Sequence, residues 1–276
     1  MQLRFFAGIL AQDLLPGESY VGSVTGELVM RGARAALMVM PALVFTAAGA
    51  QAVECVKDVS NGAPVMVCRV HLEREKLQMF WRDDAGQPFQ NFGVLRDALA
   101  KKGKTLEFAM NGGMYKPDFS PVGLFVSDGR ELVPLNRHRS SGNFSQQPNG
   151  VFLVDAQGAR LLTTDDYSQQ KPQPLLATQS GPMLVHQGAI TTSEVMQPQS
   201  QSRRVRNGVC APSPGEAVFV ITETAVTFYE FAQYFLERLH CGEALYLDGS
   251  ISSVYAPQLG RVDHWFNMGP IVGVAR

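Results

Sequence analysis

Apolar and polar residues alternate along several short stretches of this chain and recur at three- and four-residue steps along two others. Alternation sends successive side chains to opposite faces of a strand, whereas the longer step marks one face of a helix. Leu77 to Trp81, Thr105 to Met110, Met183 to His186 and Val218 to Thr222 are predicted strands. Gly123 to Val126 and Glu131 to Pro134 make a hairpin through Asp128-Gly129, and Val151 to Val154 and Arg160 to Leu162 make another around Gln157-Gly158. Phe92 to Lys102 is a predicted helix, with Asn91 as its N-cap and Gly103 just past its end. A second helix presents Phe228, Phe231, Ala232, Phe235, Leu236 and Leu239 on one face. Thr227 and Glu230 form its capping box, and Gly242 ends it. Ala244 to Leu247 then form a strand that delivers Asp248 to a loop, while Asn136 to Asn149 is polar and aperiodic and reads as a loop. Strands outnumber helices and are mostly joined by hairpins. The expected fold class is therefore α+β: a single domain with a largely antiparallel or mixed sheet and flanking helices.

The N-terminal region departs from this pattern. Arg31 and Arg34 precede an apolar run from Ala35 to Ala50, and Ala50-Gln51-Ala52 supplies a small-x-small cleavage pattern. The run is shorter than the ~20 apolar residues that span a bilayer, and Pro41 interrupts it. Met30 to Ala52 is read as a secretory signal peptide. Residues 1–29 show neither period and are read as an extension outside the native protein, leaving 53–276 as the working domain. A periplasmic or secreted protein follows, with no stable membrane span after cleavage. Glu54 beside Cys55 does not fit a lipoprotein signal.

Export permits disulfides, and the chain has four cysteines, Cys55, Cys68, Cys210 and Cys241. Four cysteines allow three connectivities, but geometry selects one. Asn61-Gly62 is a strong signal for a two-residue hairpin turn. A hairpin centred there sets Cys55 opposite Cys68 on a non-hydrogen-bonded pair, where side chains come closest. Pro64 falls on another such pair, where its missing N–H costs nothing. Cys55–Cys68 is therefore expected, and Cys210–Cys241 by elimination.

The 24 Lys and Arg are balanced by 25 Asp and Glu, so nothing marks the chain as a binder of nucleic acid or anionic lipid. The five histidines show no metal-ligand spacing, and no nucleophile elbow, phosphate-binding loop or His-Glu-x-x-His is present. Three strand ends carry small and polar clusters instead. They are Asn111-Gly112-Gly113-Met114-Tyr115, Gln179-Ser180-Gly181-Pro182, and Asp248-Gly249-Ser250-Ile251-Ser252-Ser253. Paired glycines let backbone approach a ligand, and the last cluster sets a carboxylate before a run of hydroxyls. Arg203, Arg204 and Arg206 crowd the stretch before Gly208, where an arginine fork would suit a phosphate.

Taken in order, these segments resemble the phosphodiester glycosidase family, and within it the smaller exported bacterial members. The family pattern is an Asn-Gly-Gly loop after a strand and then Pro-x-Gly, matched by Asn111 to Gly113 and Pro121-Val122-Gly123. Asn-Gly before a strand is matched by Asn149-Gly150, Ser-Gly-Pro by Ser180-Gly181-Pro182, and Arg-x-x-x-Gly by Arg204 to Gly208. The closing Asp-Gly-Gly-x-Ser-Ser loop is matched by Asp248 to Ser253, except that Ser250 stands in place of the second glycine. The resemblance runs from about Leu77 to the C-terminus.

It implies hydrolysis of the bond between a sugar's anomeric carbon and a phosphodiester. Phosphate leaves as a stable anion, so the need for a general acid is weak; a base or nucleophile and charge stabilisation remain necessary. On that reading Asp248 is the key carboxylate and Arg204 the phosphate clamp. Asn111, Gly112 and Gly113 would hold sugar or phosphate oxygens, with Ser180, Gly181 and Gly249 also lining the site and Ser252 and Ser253 orienting Asp248. No cofactor is implied with certainty; Asp248 and nearby oxygens could hold a divalent cation. Ser250 gives weight to the alternative, a periplasmic glycan-binding protein that keeps the pocket without turnover.

Overall fold

Asn61 and Gly62 both adopt left-handed backbone, φ 46° and 81°, and turn strand Glu54–Ser60 into Ala63–His71. The register sets Cys55 opposite Cys68 and Val59 opposite Pro64, as the turn chemistry requires. Cys55 and Cys68 are joined with their Cα atoms 4.1 Å apart, the spacing of a narrow, non-hydrogen-bonded pair. Cys210 and Cys241 form the second disulfide. This computed structural model describes residues 53–276; the segments read from sequence as a signal peptide and an extension before it lie outside the described residues. Among the described residues no helix is long and apolar enough to cross a membrane.

The strands form three sheets. The largest has seven, ordered Glu54–Ser60, Ala63–His71, Glu216–Thr222, Asn207–Ser213, Ala244–Asp248, Met183–His186 and Ala189–Ile190. A five-stranded sheet runs Arg261–Val262, Val254–Ala256, Leu106–Asn111, Ile271–Ala275 and Leu77–Phe80. A second five-stranded sheet runs Arg130–Val133, Phe125–Ser127, Leu176–Ser180, Gly150–Asp155 and Gly158–Thr163. Every pairing between these strands is antiparallel, and the short helices Phe92–Ala100, Thr164–Gln170 and Phe228–Gln233 complete an α+β arrangement.

The seven-stranded sheet is buried on both faces. Met66, Cys68 and Val70 belong to one core, and Val65 and Val67 to another that includes Phe228, Phe231 and Phe235. Phe219 is the meeting point of the three sheets. Its ring lies 5.4 Å from Phe108 in one five-stranded sheet and 5.8 Å from Phe152 in the other. Such pairs add roughly 0.5–1.5 kcal/mol beyond the area they bury.

Both predicted N-caps are made. Asn91 accepts from the Val94 amide at 2.9 Å, and Thr227 and Glu230 bond reciprocally as a capping box. The second helix differs from its sequence reading in one respect. Its α-helical part stops at Gln233, and Tyr234–Arg238 continue as a wider π turn, closed by the Leu239 amide on the Tyr234 carbonyl. The predicted loop between Asn136 and Asn149 contains only the short 3-10 turn Asn143–Ser145.

Candidate functional site

One strand from each sheet ends at the same place. Leu106–Asn111, Leu176–Ser180 and Ala244–Asp248 bring Asn111, Ser180 and Asp248 to one polar centre, where Asn207 begins a fourth strand. Asn111 and Asn207 are fully buried and bonded to each other, Asn207 Nδ2 donating to the Asn111 carbonyl at 3.0 Å. Asn111 Oδ1 accepts from the Ser253 amide at 2.9 Å. The Ser180 hydroxyl donates to the Leu247 carbonyl at 3.0 Å, and the Thr178 hydroxyl to the Gly112 carbonyl at 2.6 Å. The Gly112 amide donates to the Pro270 carbonyl at 2.7 Å.

Asp248 sits on this frame, 6% exposed. Its Oδ1 accepts from the Ser250 amide at 2.7 Å and from the Gly249 amide at 2.5 Å. Burial pushes its pKa up from the ordinary value, against the pull of the Ser250, Gly249 and Ile251 amides. Gly249 is required by packing, since a Cβ there would collide with the Tyr246 hydroxyl. Ser250 is different: its φ is not in the left-handed region, so a serine fits the loop without strain. Ser252 donates to the Asp248 carbonyl at 2.9 Å, and so orients the backbone of Asp248 rather than its carboxylate. Ser253 donates its hydroxyl to the Ile251 carbonyl.

Asp248, Ser250 and Ile251 open into a cleft of about 580 Å³. One wall is Met114 to Pro117 with Val122, the other Ser140 to Phe144. Among the described residues lining it, Asp248 is the one carboxylate and Lys116 the one cation. Burial raises the pKa of Tyr115, and the nearby charge of Asp248 pushes it the same way. A larger hollow of about 1150 Å³ lies between Trp81, Lys102 and Arg130 and contains none of the strand-end residues. Among the described residues no group of three or more His, Cys, Asp or Glu could hold a metal ion.

The other residues singled out from sequence are not among those lining this cleft. Asn111, Gly112, Ser180 and Gly181 are buried, and the side chains of Asn111 and Ser180 are engaged within the protein. The three arginines separate. Arg203 is paired with Glu230 through two bonds of 3.0 and 2.7 Å. Arg206 is 1% exposed, donates to the Val226 and Ser202 carbonyls and the Tyr246 hydroxyl, and lies 3.6 Å over the Phe228 ring. Its burial lowers its pKa. Arg204 is exposed and donates to the Arg203 carbonyl at 2.9 Å. Of the cluster that follows Asn111, Met114 and Tyr115 reach the cleft; sequence reasoning missed Lys116 and the Ser140–Asn143 wall, because loop residues without periodicity carry no positional signal.

Fold and site together define an α+β protein built around one buried carboxylate at the meeting of three antiparallel sheets. Residues 104–267 match the family described as phosphodiester glycosidase, and the chain belongs to that family. It is 34% identical over 191 residues to the protein of Escherichia coli (strain K12) titled "Uncharacterized protein YigE", covering 69% of this chain and 74% of that one. The fold is shared with the catalytic domain of zebrafish N-acetylglucosamine-1-phosphodiester alpha-N-acetylglucosaminidase (NAGPA), auto-inhibited by its pro-peptide. That match has a TM-score of 0.56 at 15% identity and covers 80% of this chain and 81% of the other. A hypothetical protein from Synechocystis gives a TM-score of 0.51 at 13% identity, over 80% of this chain and 61% of that one.

Proposed function

We propose that the mature chain is an exported hydrolase that cleaves the bond between a sugar's anomeric carbon and a phosphodiester in an envelope or extracellular glycan. The observation that carries this reading is the single-carboxylate cleft. Ordinary glycosides need two carboxyl groups, one of them to protonate the departing oxygen. A phosphate monoester departs as an anion and needs no such proton, so one base suffices. Asp248 takes a proton from water while the water oxygen bonds to the anomeric carbon. The carbon–oxygen bond to phosphorus breaks and its electron pair leaves with the phosphate. Lys116 on the wall and Arg204 on the loop behind Ser252 are the cations that offset the phosphate charge. The two disulfides and the signal-like leader support export.

A binding module without turnover is the alternative that Ser250 raises. Ser250 nevertheless donates its amide to Asp248 from unstrained backbone, which favours the hydrolase. A chromogenic sugar-1-phosphodiester incubated with the wild type and Asp248→Asn tests the proposal. Sugar release by the wild type alone is expected. Saturable binding without release by either would establish the binding module instead, and a repeat with chelator would report any metal requirement.

A further inference from the structure

Trp265 is 76% exposed, more than any other large hydrophobic residue described, and Phe266 beside it is 50% exposed. They lie at the tip of a segment that is anchored at both ends. On one side Asp263 accepts from the Val254 amide at 2.9 Å and pairs with Arg261 at 3.0 Å. On the other, the Asn267 carbonyl accepts from the Tyr115 hydroxyl at 2.7 Å, and the Met268 amide donates to the Gln90 carbonyl at 2.6 Å. Met268 is buried, and Gly269 lies so close to Tyr115 that a Cβ would collide with the tyrosine Cβ. The His264 ring stacks on the indole, centroids 4.4 Å apart and planes 28° apart. Leaving a whole indole in water forgoes a large hydrophobic gain, and a fixed exposed aromatic cluster marks a surface meant to be covered.

We propose that Trp265, with Phe266, is a sugar-stacking platform that extends the substrate site past the Asp248 cleft, so that the substrate is a glycan with further sugars beyond the scissile phosphodiester. Tyr115 carries the argument, because it lines the cleft and holds the platform through Asn267. A pyranose ring has one face of axial C–H bonds, which packs on an indole, and an edge of hydroxyls, which suits the polar neighbours His264 and Asn267. This inference rests on the proposed hydrolase reading for the identity of the reacting bond, but the platform itself is tested by binding alone.

The chain contains two tryptophans, Trp81 and Trp265, so Trp81→Phe leaves Trp265 as the sole indole reporter. Titrating that variant with a panel of neutral and N-acetylated tetrasaccharides should give a saturable change in emission with at least one member. The tetrasaccharide that binds, joined to a chromogenic phosphodiester, should show a KM raised about tenfold by Trp265→Ala, with the single-sugar substrate changed less than about twofold. Trp265 is exposed, so the variant should keep the wild-type melting temperature. No response to any tetrasaccharide overturns the platform, as does a blue shift with phosphatidylcholine–phosphatidylglycerol vesicles and none with sugars. Saturable sugar binding without turnover of any phosphodiester would uphold the platform and overturn the hydrolase.

Discussion

Asn111 and Asn207 bond reciprocally across two sheets: Asn207 Nδ2 donates to the Asn111 carbonyl at 3.0 Å, and Asn111 Nδ2 reaches Asn207 Oδ1 at 3.3 Å. Asn111 Oδ1 also fixes the Ser253 amide at the end of the Asp248 loop. Asn111→Ala strands the buried Ser253 N–H, at a cost of about 1–3 kcal/mol, and leaves Asn207 Oδ1 with only the longer contact from the Ser252 hydroxyl. The expected outcome is a lower melting temperature and a fall in kcat larger than any change in KM, read from denaturation and steady-state kinetics side by side. An unchanged kcat would confine Asn111 to stability.

Asp248 has its pKa raised above 3.8 by burial. Between 3.8 and that raised value the folded chain holds a proton that the unfolded chain has released, so stability falls as pH rises through this window. Asp248→Asn carries no proton to lose and escapes that fall. The variant should therefore melt above the wild type at neutral pH, with the two curves meeting in acid. Its activity should drop at least about 100-fold, and the wild-type rate should fall in acid with an apparent pKa above the ordinary aspartate value.

Gly249→Ala drives a methyl group into the Tyr246 hydroxyl, which Arg206 holds at 3.3 Å. Overpacking of this kind costs about 1–3 kcal/mol. Adding Tyr246→Phe should recover part of the loss, so the double-mutant cycle gives a favourable coupling in urea denaturation. Strict additivity would mean that the loop moves away instead.

Arg203 and Arg204 are adjacent but engaged differently. Arg203 belongs to an exposed pair with Glu230, so Arg203→Ala should cost about 1 kcal/mol or less and leave kinetics intact. Arg204→Ala, alone and with Lys116→Ala, should raise KM for a charged phosphodiester more strongly at low salt, where screening is weakest. Equal effects from Arg203 and Arg204 would remove Arg204 from phosphate recognition.

Phe219→Ala opens a cavity where the three sheets meet and should cost about 3–5 kcal/mol. Circular dichroism and tryptophan emission should still report one transition; separate transitions would mean that the sheets unfold independently.

The parts legible in the sequence are those governed by local chemistry. Asn61-Gly62 set the hairpin, its register and the first disulfide, and Thr227 with Glu230 set a helix start. Ala244–Asp248 is buried at every position and was still legible as a short run after a helix end. Leu176–Ser180 is equally buried but carries Thr178, Gln179 and Ser180, and Ile271–Ala275 is interrupted by Gly273, so neither stood out as a strand. The helix Thr164–Gln170 is capped by Thr163 but too polar to show a face. Asp248 was legible as a carboxylate at a strand end. Which of three neighbouring arginines is buried, and that Tyr115 of the cleft holds the Asn267 carbonyl, depend on contacts between residues far apart in the chain.

Because the polar centre draws one strand end from each sheet, its members are spread over the chain from Asn111 to Asp248. A cut in the exposed stretch around Gln199 would leave Asn111 and Ser180 on one fragment and Asn207 and Asp248 on the other. On the proposed hydrolase reading, neither fragment alone is expected to turn over substrate, whereas a reassembled pair is. The same division would make the fold a split reporter, in which recovered activity measures the joining of two halves.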